Sequence, residues 1–427
     1  MVTKLDQWRE SSQRRRRRAE RANYRLDIQG LRMVAVLAVF AHHLLGWPRG
    51  GFVGIDIVFV IAGFFVTDNL LRTSADDGTP SLGSFYWDRM RRIAPAAVIV
   101  LILTFAVSAY VLPSSTAHAT GIDAAFALIF VANWHFAVAG TDPSAAIDTA
   151  SPLLHYWALS VEEQLLLVWP LLIVGITLIA VRGAWSHTRW LVCIAAVVGI
   201  IVIASLGWAL YESATSSLWA YFSTLTRIWE FGVGALLATT VGVLARMPDL
   251  LRPILSWVGL SLIGASVVLI AESSGFPAPW ALLPVAGAAL IIAAGVGREP
   301  DFQGFLRNRV SSYLGDISYS LYLVHWPVIV LLAAVMDTNV YYYASVLTLT
   351  FGLAIATHHF VENPLRYASR EAIRQAREDM THGLFQAELS TKIAGVAALL
   401  LVTGSVISYA MSPQALDAPQ DTTSVSP

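Results

Sequence analysis

The sequence predicts an all-α polytopic membrane protein of eleven spans. Three observations carry this reading. Of 427 residues, 56% are apolar and only 13% charged, whereas ordinary soluble domains are about 25% charged. Mean hydropathy is +0.61. Eleven stretches approach the roughly 17–25 mostly apolar residues that a membrane-spanning helix requires. The composition excludes an intrinsically disordered chain, and the lone Cys193 excludes an internal disulfide scaffold. A formal net charge of −1 leaves no nucleic-acid partner.

The stretches run approximately over 31–47, 52–71, 93–112, 158–181, 190–211, 229–246, 253–272, 280–297, 317–336, 342–361 and 392–411. A twelfth, 122–139, is short and carries Asn133, Trp134 and His135. Loop charge decides its fate, because short cytoplasmic loops are enriched in Lys and Arg. The N-terminal segment holds Lys4, Arg9, the run Arg14 to Arg18, Arg21 and Arg25, which places it in the cytoplasm. No apolar signal-peptide core precedes residue 30. With eleven crossings the outside loops receive only Arg49 and Arg227, and the other basic loop residues fall inside. A twelfth crossing would invert every later loop. Residues 113–157 are therefore expected outside, with 122–139 as a re-entrant or surface helix.

This divides the chain into a basic cytoplasmic segment (1–25), a transmembrane domain (26–367), a cytoplasmic linker (368–391), an additional helix (392–411) and a disordered extracytoplasmic tail (412–427). The C-terminus is thus expected outside. The basic segment is a topology determinant resting on anionic lipid, or a site for a polyanion or soluble partner. No repeat of solenoid period and no matched pair of broken spans is evident. GxGxxG, P-loop, HExxH and GxSxG motifs are also missing from the sequence.

Ionisable residues inside spans are costly, so they are candidates for function. Arg32 and His43 lie eleven positions apart in the first span. Eleven steps of about 100° return to within roughly 20°, so the two share a helix face about 16 Å apart along the axis. Singly, Arg32 would snorkel to headgroups and His43 would cap a helix end; together they describe a path with a cation at its inner mouth and a base at its outer mouth. His42 points away and reads as structural. Asp56, after the reversal Gly50-Gly51-Phe52-Val53-Gly54, lies at the depth of His43 and could hold its imidazole in one tautomer.

Arg89 and Arg92 share a face at the start of the third span. They serve positive-inside placement or form a phosphate clamp. Glu162 and Glu163 open the fourth span at its outer end, where packing alone does not account for two carboxylates. Arg227 and Glu230 are spaced as a structural ion pair. In the ninth span, His325 reads as a buried histidine bonded to a carbonyl freed by Pro327.

Taken together, these strings resemble membrane acyltransferase family 3, the group of O-antigen and nodulation-factor O-acylases. The matching residues are Asp27-Ile28-Gln29-Gly30-Leu31-Arg32 with His43, then Gly51-Phe52-Val53-Gly54-Ile55-Asp56 and Arg89-Met90-Arg91-Arg92-Ile93-Ala94-Pro95. They continue through Leu159-Ser160-Val161-Glu162-Glu163-Gln164 and Ser318 to Pro327, and close on Glu362-Asn363-Pro364-Leu365-Arg366. The resemblance covers about 24–367. Ala62 stands where the family usually has serine, and Leu165-Leu166 where it has aromatics.

The resemblance implies a ten-helix enzyme of the bacterial plasma membrane. It would move an acyl group, acetyl or another short chain, from cytoplasmic acyl-CoA to a hydroxyl of an extracytoplasmic glycan or glycolipid. Arg32 and His43 would be the key pair, with Arg89 and Arg92 also tied to activity; no metal is expected. The additional span resembles members that append an extracytoplasmic hydrolase-like domain. On these expectations His43, Arg32, Asp56, Glu163 and Glu162 carry catalysis, and Arg89, Arg92 and Arg32 hold the phosphates of acyl-CoA. A neutral imidazole would take the proton of the attacking hydroxyl as the bond forms. Direct transfer and a transient acyl-histidine both remain open. A transporter or flippase for an envelope precursor is the rival reading, with the same charges lining a permeation route.

Overall fold

The computed structural model describes residues 24–77, 80–271 and 275–367. The basic run at 14–18, the linker, the span expected at 392–411 and the C-terminal tail lie outside the described residues. In chain order the helices are α1 (Leu26–Leu45), α2 (Gly54–Asp77), α3 (Leu82–Val111), α4 (Ser114–Leu128), α5 (Ala132–Ala139) and α6 (Tyr156–Arg182). Next come α7 (His187–Thr215), α8 (Ser217–Phe222), α9 (Ile228–Thr239), α10 (Val241–Leu244), α11 (Leu251–Leu269) and α12 (Leu282–Ala294). The last are α13 (Gly304–Arg307), α14 (Arg309–Asp316), α15 (Ser318–Ala333), α16 (Val340–Thr357), a π-helical turn (His358–Glu362) and α17 (Asn363–Tyr367). No strand occurs among the described residues.

A helix overlaps each of the first ten expected spans, but not all are long enough to cross. Seven pass on length and hydropathy, or eight when α14 and α15, bent by 66°, count as one. The expected spans at 229–246 and 280–297 form helices of only 12 and 13 residues. At 1.5 Å per residue these reach about 18–20 Å, short of a hydrocarbon core of about 30 Å. Local chemistry explains the shortening. Thr240 interrupts the first, its N–H turning to Leu237 O at 3.0 Å. Pro277 and Pro279 precede the second and Gly295 follows it. The ambiguous 122–139 stretch is split between α4 and α5, with Phe130 between them at φ +57°. Neither half qualifies as a span.

The chain divides into two compact units. Of the described residues, the first comprises those up to Pro80 with Leu165–Ser318, and the second Ser81–Gln164 with Tyr319–Tyr367. In the first, α2 and α9 cross with their backbones in contact. A Cβ on Gly63 would strike Phe231 O, and one on Gly234 would strike Val60 O. Helices α11 and α12 repeat the device through Gly259 and Gly287, where a Cβ on either would sit 2.5–2.6 Å from the other's carbonyl. Small residues at such crossings let membrane helices approach closely enough for dispersion to hold them. Helix α7 leaves Val192, Ile200 and Ile203 exposed, an apolar face suited to lipid.

In the second unit, tyrosine hydroxyls serve as cross-ties between helices. Tyr156 donates to Ala97 O at 2.9 Å, Tyr319 to Ile93 O at 2.8 Å and Tyr342 to Ile329 O at 3.1 Å. Helix α3 starts where Ser81 accepts from the backbone N–H of Ser84, and α16 where Asn339 accepts from Tyr341 and Tyr342. Both are N-caps that satisfy otherwise orphaned donors.

Candidate functional site

In the first unit the site is built on α1. Its N-terminus is tied down from several directions. Glu299 accepts from the Leu26 N–H at 2.5 Å, and Arg25 pairs with buried Asp27 at 2.6 Å. Arg25 also donates to Ile292 O at 2.9 Å, and Tyr24 reaches Asp316 at 2.8 Å. Gly30 lies directly on the Leu306 backbone and Gly315 on that of Gln29. The Asp27 to Arg32 string is thus largely a docking device for the helix. Gly51 and Gly54 then pack the following turn against Ala38 O and Ala35 O, and Gly46 ends α1 in a left-handed cap at φ +63°.

On this fixed helix Arg32 and His43 are both half-buried. The Arg32 guanidinium stands 5.5 Å from the centre of the Phe65 ring. His42 donates to Pro48 O at 3.1 Å, a bond across the turn that follows α1. The shared face of Arg32 and His43 follows from the unbroken helix between them.

Asp56 corrects the expectation that it orients His43. Its Oδ1 accepts from Arg227 Nη1 at 2.7 Å, and Arg227 also pairs with Glu230 at 3.1 Å. All three are buried, and Asp56 Oδ2 and Glu230 Oε2 have no hydrogen-bond partner among the described residues. Arg227 further donates to Tyr221 O and stacks 4.9 Å from the centre of Phe276. The pair read from sequence as Arg227–Glu230 is a triad, because the α2–α9 crossing brings a second carboxylate to the same guanidinium.

In the second unit Arg89 and the adjacent carboxylates form one cluster. Arg89 Nη2 reaches Glu163 at 2.6 Å and Glu162 at 2.8 Å, and its Nε reaches Glu163 at 3.1 Å. The sequence assigned Arg89 to an inner mouth and the carboxylates to an outer one; the structure brings them into contact. The start of α6 packs midway along α3, where Tyr156 meets Ala97 O, and this puts the carboxylates within reach of Arg89. The neighbouring Gln164 donates to Phe130 O and to Asn133 Oδ1, both at 2.8 Å. Arg92 is half-buried.

Two groupings were not singled out from sequence. Glu362 accepts from Ser320 and His358, both at 3.0 Å, and Asn363 bonds His358 Nε2 at 2.9 Å. The π-helical turn creates this contact, and π-turns are frequent at functional sites. The carbonyl freed by Pro327 is Leu323 O, and it receives a bond from His155 at 3.0 Å, not from His325. Pro327 was a usable signal, but the partner lay 168 residues away in sequence.

A family profile described as an acyltransferase domain, acyltransferase 3, matches residues 25–359. The chain is 27% identical over 391 residues to the peptidoglycan O-acetyltransferase OatA of Listeria monocytogenes, covering 88% of this chain and 62% of that protein. It is 31% identical over 354 residues to a Bacillus subtilis protein named "Putative peptidoglycan O-acetyltransferase YrhL", covering 79% of this chain and 54% of that one. The chain thus matches between about half and two thirds of the length of these relatives. No solved structure matches. The sequence motifs, the all-helical apolar architecture and the profile match agree, and the chain belongs to the membrane acyltransferase 3 family.

Proposed function

We propose that this chain is an O-acyltransferase of the bacterial plasma membrane, moving a short acyl group, most simply acetyl, from cytoplasmic acyl-CoA to a hydroxyl of an envelope glycan. The observation that carries the reading is the Arg32–His43 face on the firmly docked helix α1, in a chain of the acyltransferase family. Two of its relatives are named for peptidoglycan O-acetylation, and peptidoglycan is the acceptor class we assign here.

In this reading His43, as neutral imidazole, accepts the proton of the attacking hydroxyl while that oxygen bonds the thioester carbonyl carbon. The carbon–sulfur bond breaks and the thiolate leaves with the proton. Arg32 holds the donor phosphates, since guanidinium forks match phosphate oxygens. Arg89, already bonded to two carboxylates, fixes Glu162 and Glu163 instead. Asp56 acts through Arg227 on the packing of α2 and α9.

Purified protein in detergent, given radiolabelled acetyl-CoA and a tetrasaccharide of alternating N-acetylglucosamine and N-acetylmuramic acid, should form labelled ester. His43→Ala should lower the rate by about 10²–10⁴. No transfer by wild type, or equal transfer by the variant, would overturn the proposal.

A further inference from the structure

The segment 151–155 is held on both sides by residues of α15. Trp326 Nε1 donates to Ser151 O at 2.8 Å, and the Tyr322 hydroxyl donates to His155 O at 2.6 Å. His155 itself is 3% exposed. Its Nε2 lies 3.0 Å from Leu323 O, and a carbonyl can only accept, so Nε2 carries the hydrogen. That carbonyl is available because Pro327, four residues on, has no N–H to offer it. The tautomer of His155 is therefore fixed, and Nδ1 presents a lone pair.

Nδ1 has no hydrogen-bond partner among the described residues, although it is buried. The surroundings supply rings in place of donors. Tyr156 lies 4.8 Å, Tyr322 5.5 Å and His325 5.6 Å from the imidazole centre. His325 cannot offer its Nδ1 hydrogen, because that nitrogen donates to Tyr322 O at 2.6 Å. A buried acceptor left unmade is costly, whereas one completed by a substrate discriminates strongly against analogues lacking the donor.

We infer that His155 Nδ1 is a binding position for a hydroxyl of the acceptor sugar, one that hydrogen-bonds into the lone pair and orients the glycan among aromatic rings. This rests on the acyl-transfer reading above and deepens it by naming an acceptor-recognising residue. A hydroxyl suits the position better than a thioester, which carries no donor at its reacting centre.

The test compares wild type with His155→Gln, whose amide can keep the donated bond to Leu323 O while removing the Nδ1 lone pair. Both are assayed with acetyl-CoA, the same tetrasaccharide and a panel of its monodeoxy analogues. The expected result is a 10- to 100-fold loss in kcat/KM for the parent acceptor, with KM for acetyl-CoA unchanged. One monodeoxy analogue should be at least tenfold poorer than the parent for wild type, yet no poorer for His155→Gln. Equal acceptor kinetics and equal discrimination in the two proteins would overturn the inference while leaving acyl transfer standing; no transfer by wild type would instead overturn the reading beneath it. If His155→Gln does not fold, the wild-type panel decides: equal kcat/KM for the parent and every monodeoxy analogue would overturn the inference.

Discussion

Arg227 Nη1 lies 2.7 Å from Asp56 Oδ1, and both side chains are 1% exposed. Glu230 shares the same guanidinium nitrogen at 3.1 Å, so one buried cation serves two buried carboxylates. Removing the cation strands both. Arg227→Ala is expected to destabilise the protein by about 3–5 kcal/mol, read as a lower thermal unfolding midpoint in detergent. Arg227→Lys should recover little, because a single ammonium does not reproduce the planar fork. Glu230→Gln should cost less than either, since it leaves the Arg227–Asp56 bond and relieves the excess of negative charge. An Arg227→Ala protein unfolding at the wild-type temperature would show that the triad does not hold the α2–α9 crossing.

Arg89 distinguishes its two carboxylates. It makes two bonds to Glu163, at 2.6 and 3.1 Å, and one to Glu162, at 2.8 Å. Glu163 is also the more buried, at 7% side-chain exposure against 18%. Glu163→Gln should therefore lose more stability than Glu162→Gln, with a difference of about 1 kcal/mol or more. A double-mutant cycle of Arg89→Met with each variant measures the two couplings. Equal couplings would contradict the geometry.

Glycine substitutions separate packing from flexibility. Gly63→Ala and Gly234→Ala each force a methyl group into a facing backbone carbonyl, and overpacking of this kind costs about 1–3 kcal/mol. Gly264 on α11 has open space where its Cβ would stand, so Gly264→Ala should be neutral or slightly stabilising through helix propensity. Unfolding midpoints of the three variants, measured side by side, check the contrast.

Arg32 has a kinetic signature distinct from that of His43. Loss of a charge-assisted bond costs about 1.5–3 kcal/mol, so Arg32→Ala should raise the KM for acetyl-CoA by about 10- to 100-fold. Arg32→Lys should recover part of that loss. The KM for the glycan should stay where it was. A change confined to the glycan KM would remove Arg32 from the donor side.

Much of this protein was legible locally. The apolar runs marked a helix at each of the first ten expected spans, and residue spacing alone placed Arg32 and His43 on one face. Span length was less legible at α9 and α12, where Thr240, the prolines at 277 and 279 and Gly295 end helices within apolar sequence. Hydropathy averages across such breaks, whereas helix propagation does not. Partner choice was hardly legible at all. Asp56 was assigned to His43 by depth, yet it bonds Arg227; His325 was assigned to the carbonyl freed by Pro327, yet His155 takes it.

The sequence by itself determined that the chain is a helical membrane protein of the acyltransferase 3 family, and that its first helix carries a cation and an imidazole on one side. Those properties depend on composition, on residue order and on a helical repeat of 3.6 residues, all of which are local. Only the tertiary structure decided which buried charges meet. Arg89 finds Glu163 across 74 residues, Arg227 finds Asp56 across 171 and His155 finds Leu323 across 168. In a dry interior a polar group takes whichever partner the packing brings within about 3 Å, and that is fixed by how helices cross, which no local pattern records.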